Sequence, residues 1–155
     1  MTEHTTYQGS RYLMVEISGQ VFAVAASDVV AVQRMDELQP VPSGHTEAAS
    51  SDDIAAIDLC RLFWGTALSE RRTYAVILST QAGTCAVLVD TVQPSRVIDP
   101  NDWHPLPPLL TRMGCPFSGV VRTADDFALV LDTRRLIVQI HRAAPELVTE
   151  KIYAI

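Results

Sequence analysis

Residues 12–24 read Tyr-Leu-Met-Val-Glu-Ile-Ser-Gly-Gln-Val-Phe-Ala-Val, and this stretch decides the fold. Leu13, Val15 and Ile17 alternate with Tyr12, Met14 and Glu16. A period of two is the spacing of a β-strand, whose side chains point to opposite faces in turn. Gly19-Gln20 turns the chain and Val21-Phe22-Ala23-Val24 returns it, which predicts a hairpin.

Working outward, the same signal recurs. Val29 to Val32 is a β-branched run, and residues 54–57 and 74–78 read as short buried strands. Cys85, Val87 and Val89 alternate with Ala86, Leu88 and Asp90. Residues 117–122 and 127–131 form a second expected hairpin, turned at Ala124-Asp125-Asp126. Short strands at this spacing predict an all-β barrel or sandwich.

Helical signals are few. Residues 58–64 start at an aspartate and stop at Gly65, and residues 132–137 look the same. An aspartate suits a helix start because its carboxylate accepts the unpaired amide hydrogens of the first turn. The second segment extends to His141, with Pro145 barring continuation. The two segments form a weak repeat, Ile57-Asp58-Leu-Cys-Arg61-Leu62 against Leu131-Asp132-Thr-Arg-Arg135-Leu136. Each follows an apolar strand, so two similar lobes are expected. Asp58 and Asp132 read as caps. Residues 36–53 and 91–116 read as connections, the second holding six of the nine prolines. Proline cannot donate to a sheet ladder. A short helical turn is expected at Leu109 to Met113.

The chain has 155 residues, 12 basic against 18 acidic, and a net charge of −6. Lys151 is the single lysine. An acidic chain without a basic block argues against nucleic acid as a partner. No apolar run approaches the ~18 residues a membrane span needs, so no direct membrane insertion is expected. The N-terminus has neither the basic patch nor the apolar core of a signal peptide. The expected location is the cytoplasm.

Catalysis needs convergent polar groups with tuned protonation. His4, His45, His104 and His141 read as solvated, and the paired acids Asp52-Asp53 and Asp125-Asp126 read as turn residues. Cys60, Cys85 and Cys115 lack a metal-ligand spacing and read as small buried thiols. No nucleophile elbow, zinc-protease motif or phosphate-binding glycine loop occurs. The expectation is a protein that is not an enzyme, with no catalytic residue, cofactor or metal. The competing reading is a small β-barrel enzyme or ligand-binding domain with a site near His104 and Trp103. An oligonucleotide-binding barrel would need exposed aromatics in a positive groove, whereas Phe22, Phe117 and Phe127 fall on expected core positions.

The order of pieces resembles the CheW-like domain, the adaptor of bacterial chemosensory arrays. The stretches that carry the likeness are Gly19 to Val24, Asp28 to Val32, Leu38 to Pro42, Ile54 to Thr66, Ala86 to Val92 and Phe117 to Leu136. The resemblance covers residues 11–138. It implies two small five-stranded SH3-like β-barrels packed together. It also implies a scaffold that ties methyl-accepting chemotaxis receptors to the regulatory domain of a CheA-like histidine kinase. Ile57-Asp58-Leu-Cys60, Gly65-Thr66 and Leu88-Val89-Asp90 look most like adaptors of pilus-type (twitching) systems. The expected organisation is a disordered tail over 1–10, the CheW-like domain over 11–140 and a C-terminal extension over 141–155.

Partner contacts carry over by position. The expected receptor strand places them at Val29 and Val32, with Ala31 nearest the family's glutamate. The stretch implicated in partner coupling falls on Leu88, Val89 and Asp90. Val29, Val32, Leu88 and Val89 also read as core, because a barrel strand buries alternate residues. The family's Asn-x-Arg-Gly block maps near Ala48-Ala49-Ser50-Ser51, where Asn, Arg and the last Gly are absent. Serine at Ser50 cannot present the five-donor fork of arginine to a carboxylate. Three outcomes follow: an adaptor for a diverged partner, an accessory occupying one docking face, or a protein that binds something else.

Overall fold

The structure is a computed structural model that describes residues 10–38, 53–60, 72–109, 115–124, 126–143 and 150–153. The strands in chain order are β1 (Ser10–Ile17), β2 (Gln20–Ala25), β3 (Val29–Arg34), β4 (Asp53–Ile57), β5 (Tyr74–Thr80), β6 (Gly83–Val89), β7 (Thr91–Ile98), β8 (Trp103–Pro105), β9 (Phe117–Arg122) and β10 (Phe127–Leu131). Helix α1 (Thr133–Ala143) and strand β11 (Glu150–Tyr153) follow. The strands form two sheets, β7-β1-β2-β10-β9-β8 and β11-β4-β6-β5-β3. The mostly β, two-lobed architecture is as the sequence led one to expect. The first sheet gains a short sixth strand, β8.

Both hairpins form. Ile17 faces Gln20, so the turn residues are Ser18 and Gly19. Their φ values are +50° and +84°, the left-handed pair that a tight two-residue turn requires. The weak repeat corresponds to a structural one. β4 runs parallel to β6 and ends just before Asp58, and β10 runs parallel to β2 and ends just before Asp132. Asp132 Oδ1 accepts from the Arg135 amide at 3.0 Å, and Asp58 Oδ1 from the Cys60 amide at 2.9 Å. Both aspartates therefore cap the chain that follows. The rest of the expected 58–64 helix, most of 109–113 and the residues 39–52 lie outside the described residues.

Three cores explain why the central strands are apolar on both faces. Val76 and Leu78 of β5, with Cys85, Val87 and Val89 of β6, face a core shared by the two sheets. Ala75, Ile77, Ala86 and Leu88 point the other way, into the second lobe's own core. Met14, Ala23, Val121, Ala128 and Val130 fill the first lobe. The shared core also takes Val15, Ile17, Phe22 and Val24 from the first sheet and Leu136, Ile137 and Ile140 from α1. Phe22 and Phe117 stack there with ring centroids 5.7 Å apart. Helix α1 closes on the β5–β6 turn: a Cβ on Gly83 would lie 3.0 Å from His141 Cε1 and 3.2 Å from Ile137 Cγ2.

Three expectations are corrected: the first hairpin turns at Ser18-Gly19 and not at Gly19-Gln20, Phe127 is half exposed and not core, and the long connection holds a strand. Residues 91–98 are not a connection but β7, an edge strand of the first sheet. Between Tyr12↔Arg96 and Met14↔Gln93, β7 advances one residue more than β1. Pro94 sits in that bulge, where no ladder hydrogen bond is demanded of it. The chain instead crosses between the sheets at Asp90, a single residue between β6 and β7. Within the region set aside as a C-terminal extension, β11 pairs with β4 as an edge strand of the second sheet. Of the tail, only Ser10 is among the described residues.

Candidate functional site

Two places on the molecule stand out. The first is the free side of β3. This strand ends the second sheet and pairs only with β5 in the described ladder. Val29 faces Leu78 and Ala31 faces Ile77, so two residues of β3 span one of β5 and Val30 is bulged out. The bulge returns Val32, opposite Val76, to the same face as Val29. Val30 is 66 % exposed and Val32 40 %. An exposed apolar edge without lysine or proline is a liability unless something covers it. Acidic residues flank it: Asp28 precedes β3, and Asp36 and Glu37 follow, with Asp36 paired to Arg34 at 2.9 Å.

Beside β3 lies an open recess of about 550 Å³ at the seam of the lobes. Tyr12, Asp28, Thr80, Ser118 and Asp132 line it. Its mixed polar and apolar walls suit a polypeptide surface better than a buried small ligand.

The second place is a cluster around Arg72, which sequence reasoning missed. The residue is only 7 % exposed. Its Nε donates to Asp58 Oδ2 at 3.0 Å. Its NH1 meets both oxygens of Asp90, at 2.9 and 2.8 Å. Its NH2 donates to Ser18 Oγ at 3.0 Å and to Cys60 Sγ at 3.1 Å. These contacts engage all three guanidinium nitrogens. Asp90 Oδ2 also accepts from the Ser18 amide at 2.8 Å, and the Asp90 amide donates to Glu16 O at 2.8 Å. Burial opposes the charge on Arg72, but Asp58 and Asp90 outweigh it and hold the group above its usual value. Burial pushes the Cys60 thiol up, so it stays protonated as a weak partner rather than a nucleophile.

The expected contact residues separate into groups. Val32 reaches the surface, and Val30, which the three-residue spacing passed over, is more exposed still. Val29 and Ala31 are half-buried against the shared core and the second lobe's core. Leu88 and Val89 are 2 % and 0 % exposed, so their side chains belong to the cores and offer no surface to a partner. The reason is that β6 lies in the middle of its sheet, between two cores. Asp90 is half-buried with both oxygens engaged by Arg72. Ser50 lies outside the described residues. His104 sits on β8 opposite Val120, and Trp103, His104 and Pro105 are all exposed. No group of three metal-ligating side chains occurs among the described residues.

Two back-to-back sheets on a shared core define a fold of paired SH3-like β-barrels. The chain belongs to the CheW-like domain family, whose profile it matches over residues 11–141. Among solved structures it is similar to the scaffolding protein TtCheW from Thermoanaerobacter tengcongensis. That likeness has a TM-score of 0.60 at 16 % identity and covers 80 % of this chain and 89 % of that one. No curated protein matches the sequence.

Proposed function

We propose that the chain is a non-catalytic adaptor of a chemosensory system that holds a receptor and a histidine kinase together through protein contacts. Family membership supports the adaptor class. The observation that carries the reading is the bulged edge strand, which offers Val30 and Val32 to solvent between acidic residues. The first partner is the cytoplasmic tip of a methyl-accepting receptor, seated on β3 and the adjoining recess. The second is the regulatory domain of a CheA-like kinase. A contact of standard size would bury about 800 Å² on each side.

The interface runs through side chains and shape, not chemistry on a substrate. The exposed Val30 and Val32 supply the apolar contact, and the flanking carboxylates reject acidic surfaces. No helix of the described residues is long and apolar enough to cross a membrane, which fits a protein that reaches receptors from the cytoplasmic side. The test is capture of purified kinase regulatory domain and receptor signalling fragment by the immobilised chain, separately and together. Simultaneous retention of both is expected. Retention of neither, by folded protein, would sink the reading.

A further inference from the structure

Apart from the Phe22–Phe117 stack, the shared core is mostly aliphatic, with Val15, Ile17 and Val24 on one side and Val76, Leu78 and Val87 on the other. Apolar contact is non-directional, and such cores tolerate repacking and lose uniqueness before they lose stability. A buried guanidinium is far less tolerant, because each of its donors must end on an acceptor. Arg72 stands just before β5 of the second lobe. It reaches Ser18 at the hairpin tip of the first lobe and Asp90 where the chain crosses.

Ser18 supplies an independent sign. It holds φ +50°, a conformation in which glycine is free of the Cβ penalty. Serine stands there with its hydroxyl on Arg72 and its amide on Asp90. A side chain thus stands at a position whose backbone favours glycine.

We propose that the Arg72–Asp58–Asp90–Ser18 cluster is a register lock between the lobes. It selects one seating of the first hairpin on the second lobe from the several that an aliphatic interface alone would allow. Specificity, not net stability, is its product, since replacing a whole buried ionic group by apolar residues is often neutral for stability. The lock fixes the walls of the seam whatever partner the protein binds.

The test uses the full chain with labelled Ile, Leu and Val methyls. One variant combines Arg72→Met, Asp58→Leu and Asp90→Asn, so the three charges of the cluster are removed together. It is expected to stay folded by circular dichroism, yet to show doubled or exchange-broadened methyl signals at Ile17, Val24, Val76 and Leu78. A single sharp set with unchanged contacts across the lobes would overturn the lock. If that variant does not fold, Ser18→Gly decides. It relieves the backbone and removes the Cβ with its hydroxyl, while the amide that donates to Asp90 stays. Broadening at Ile17 and amide exchange about tenfold faster at Asp90 would uphold the lock. Sharp signals and unchanged exchange would end it.

Discussion

Arg72 sets a single nitrogen, NH1, against both carboxylate oxygens of Asp90, at 2.9 and 2.8 Å. Asp90 lies at the crossing between sheets, and Arg72 just before β5, so this pair ties the chain's passage to the strand beside it. The pair also fixes what a mutation does. A charge left without its partner in such a place costs more than the pair contributes.

Arg72→Met alone is therefore expected to destabilise the protein by about 3 kcal/mol, because it removes the guanidinium that the buried Asp58 and the half-buried Asp90 share. Arg72→Lys keeps the charge but not the planar fork and is expected to recover only part of that loss. Urea unfolding of the two variants and the parent checks the ranking.

Alkaline pH acts through Cys85, whose thiol burial pushes up to about 12 from 9.0. The folded state keeps the thiol protonated where the unfolded chain would ionise it. The stability advantage is complete below pH 9 and is lost between pH 9 and about 12. Within that window the loss from this group is on the order of 1.4 kcal/mol per pH unit. Urea midpoints at rising pH should show this slope for the parent and a shallower one for Cys85→Ala. Equal slopes would refute the assignment.

Val89→Glu separates core from contact. Val89 is fully buried in the shared core. An unpaired carboxylate there is expected to abolish the cooperative unfolding transition at 25 °C. A stable, folded Val89→Glu protein would show that β6 does not lie between two cores.

Asp132→Ala removes the acceptor of the Arg135 amide at the start of α1. The expected loss is about 1 kcal/mol, the usual cost of a missing N-cap. Helicity measured by circular dichroism should hold at 25 °C, while the unfolding midpoint falls.

The strands were legible because period-two patterning and turn residues are local. Residues 13–17, 21–24, 74–78 and 117–122 gave themselves away within a few positions. The 58/132 repeat was legible for the same reason, since a cap follows its strand directly. β7 was hidden by Pro94, which reads as a breaker unless a bulge on an edge accommodates it. The four-residue β11 has no turn partner next to it and pairs with a strand almost a hundred residues earlier. Arg72 was invisible for a related reason. Its partners Asp58, Asp90 and Ser18 lie 14, 18 and 54 residues away, so no spacing announces the cluster. On β3, the three-residue spacing that pointed to Val29 and Val32 passed over Val30, although exposure along the strand alternates and sets Val30 beside Val32.

The account turns on whether the β3 edge is a docking surface. Titration calorimetry of a receptor signalling fragment into the parent chain and into Val30→Glu and Val32→Glu measures this directly. Both side chains are exposed, so neither change should shift the unfolding midpoint. Affinity is expected to fall at least about tenfold for each, with the larger effect at Val30. Parental affinity in both folded variants would contradict the account.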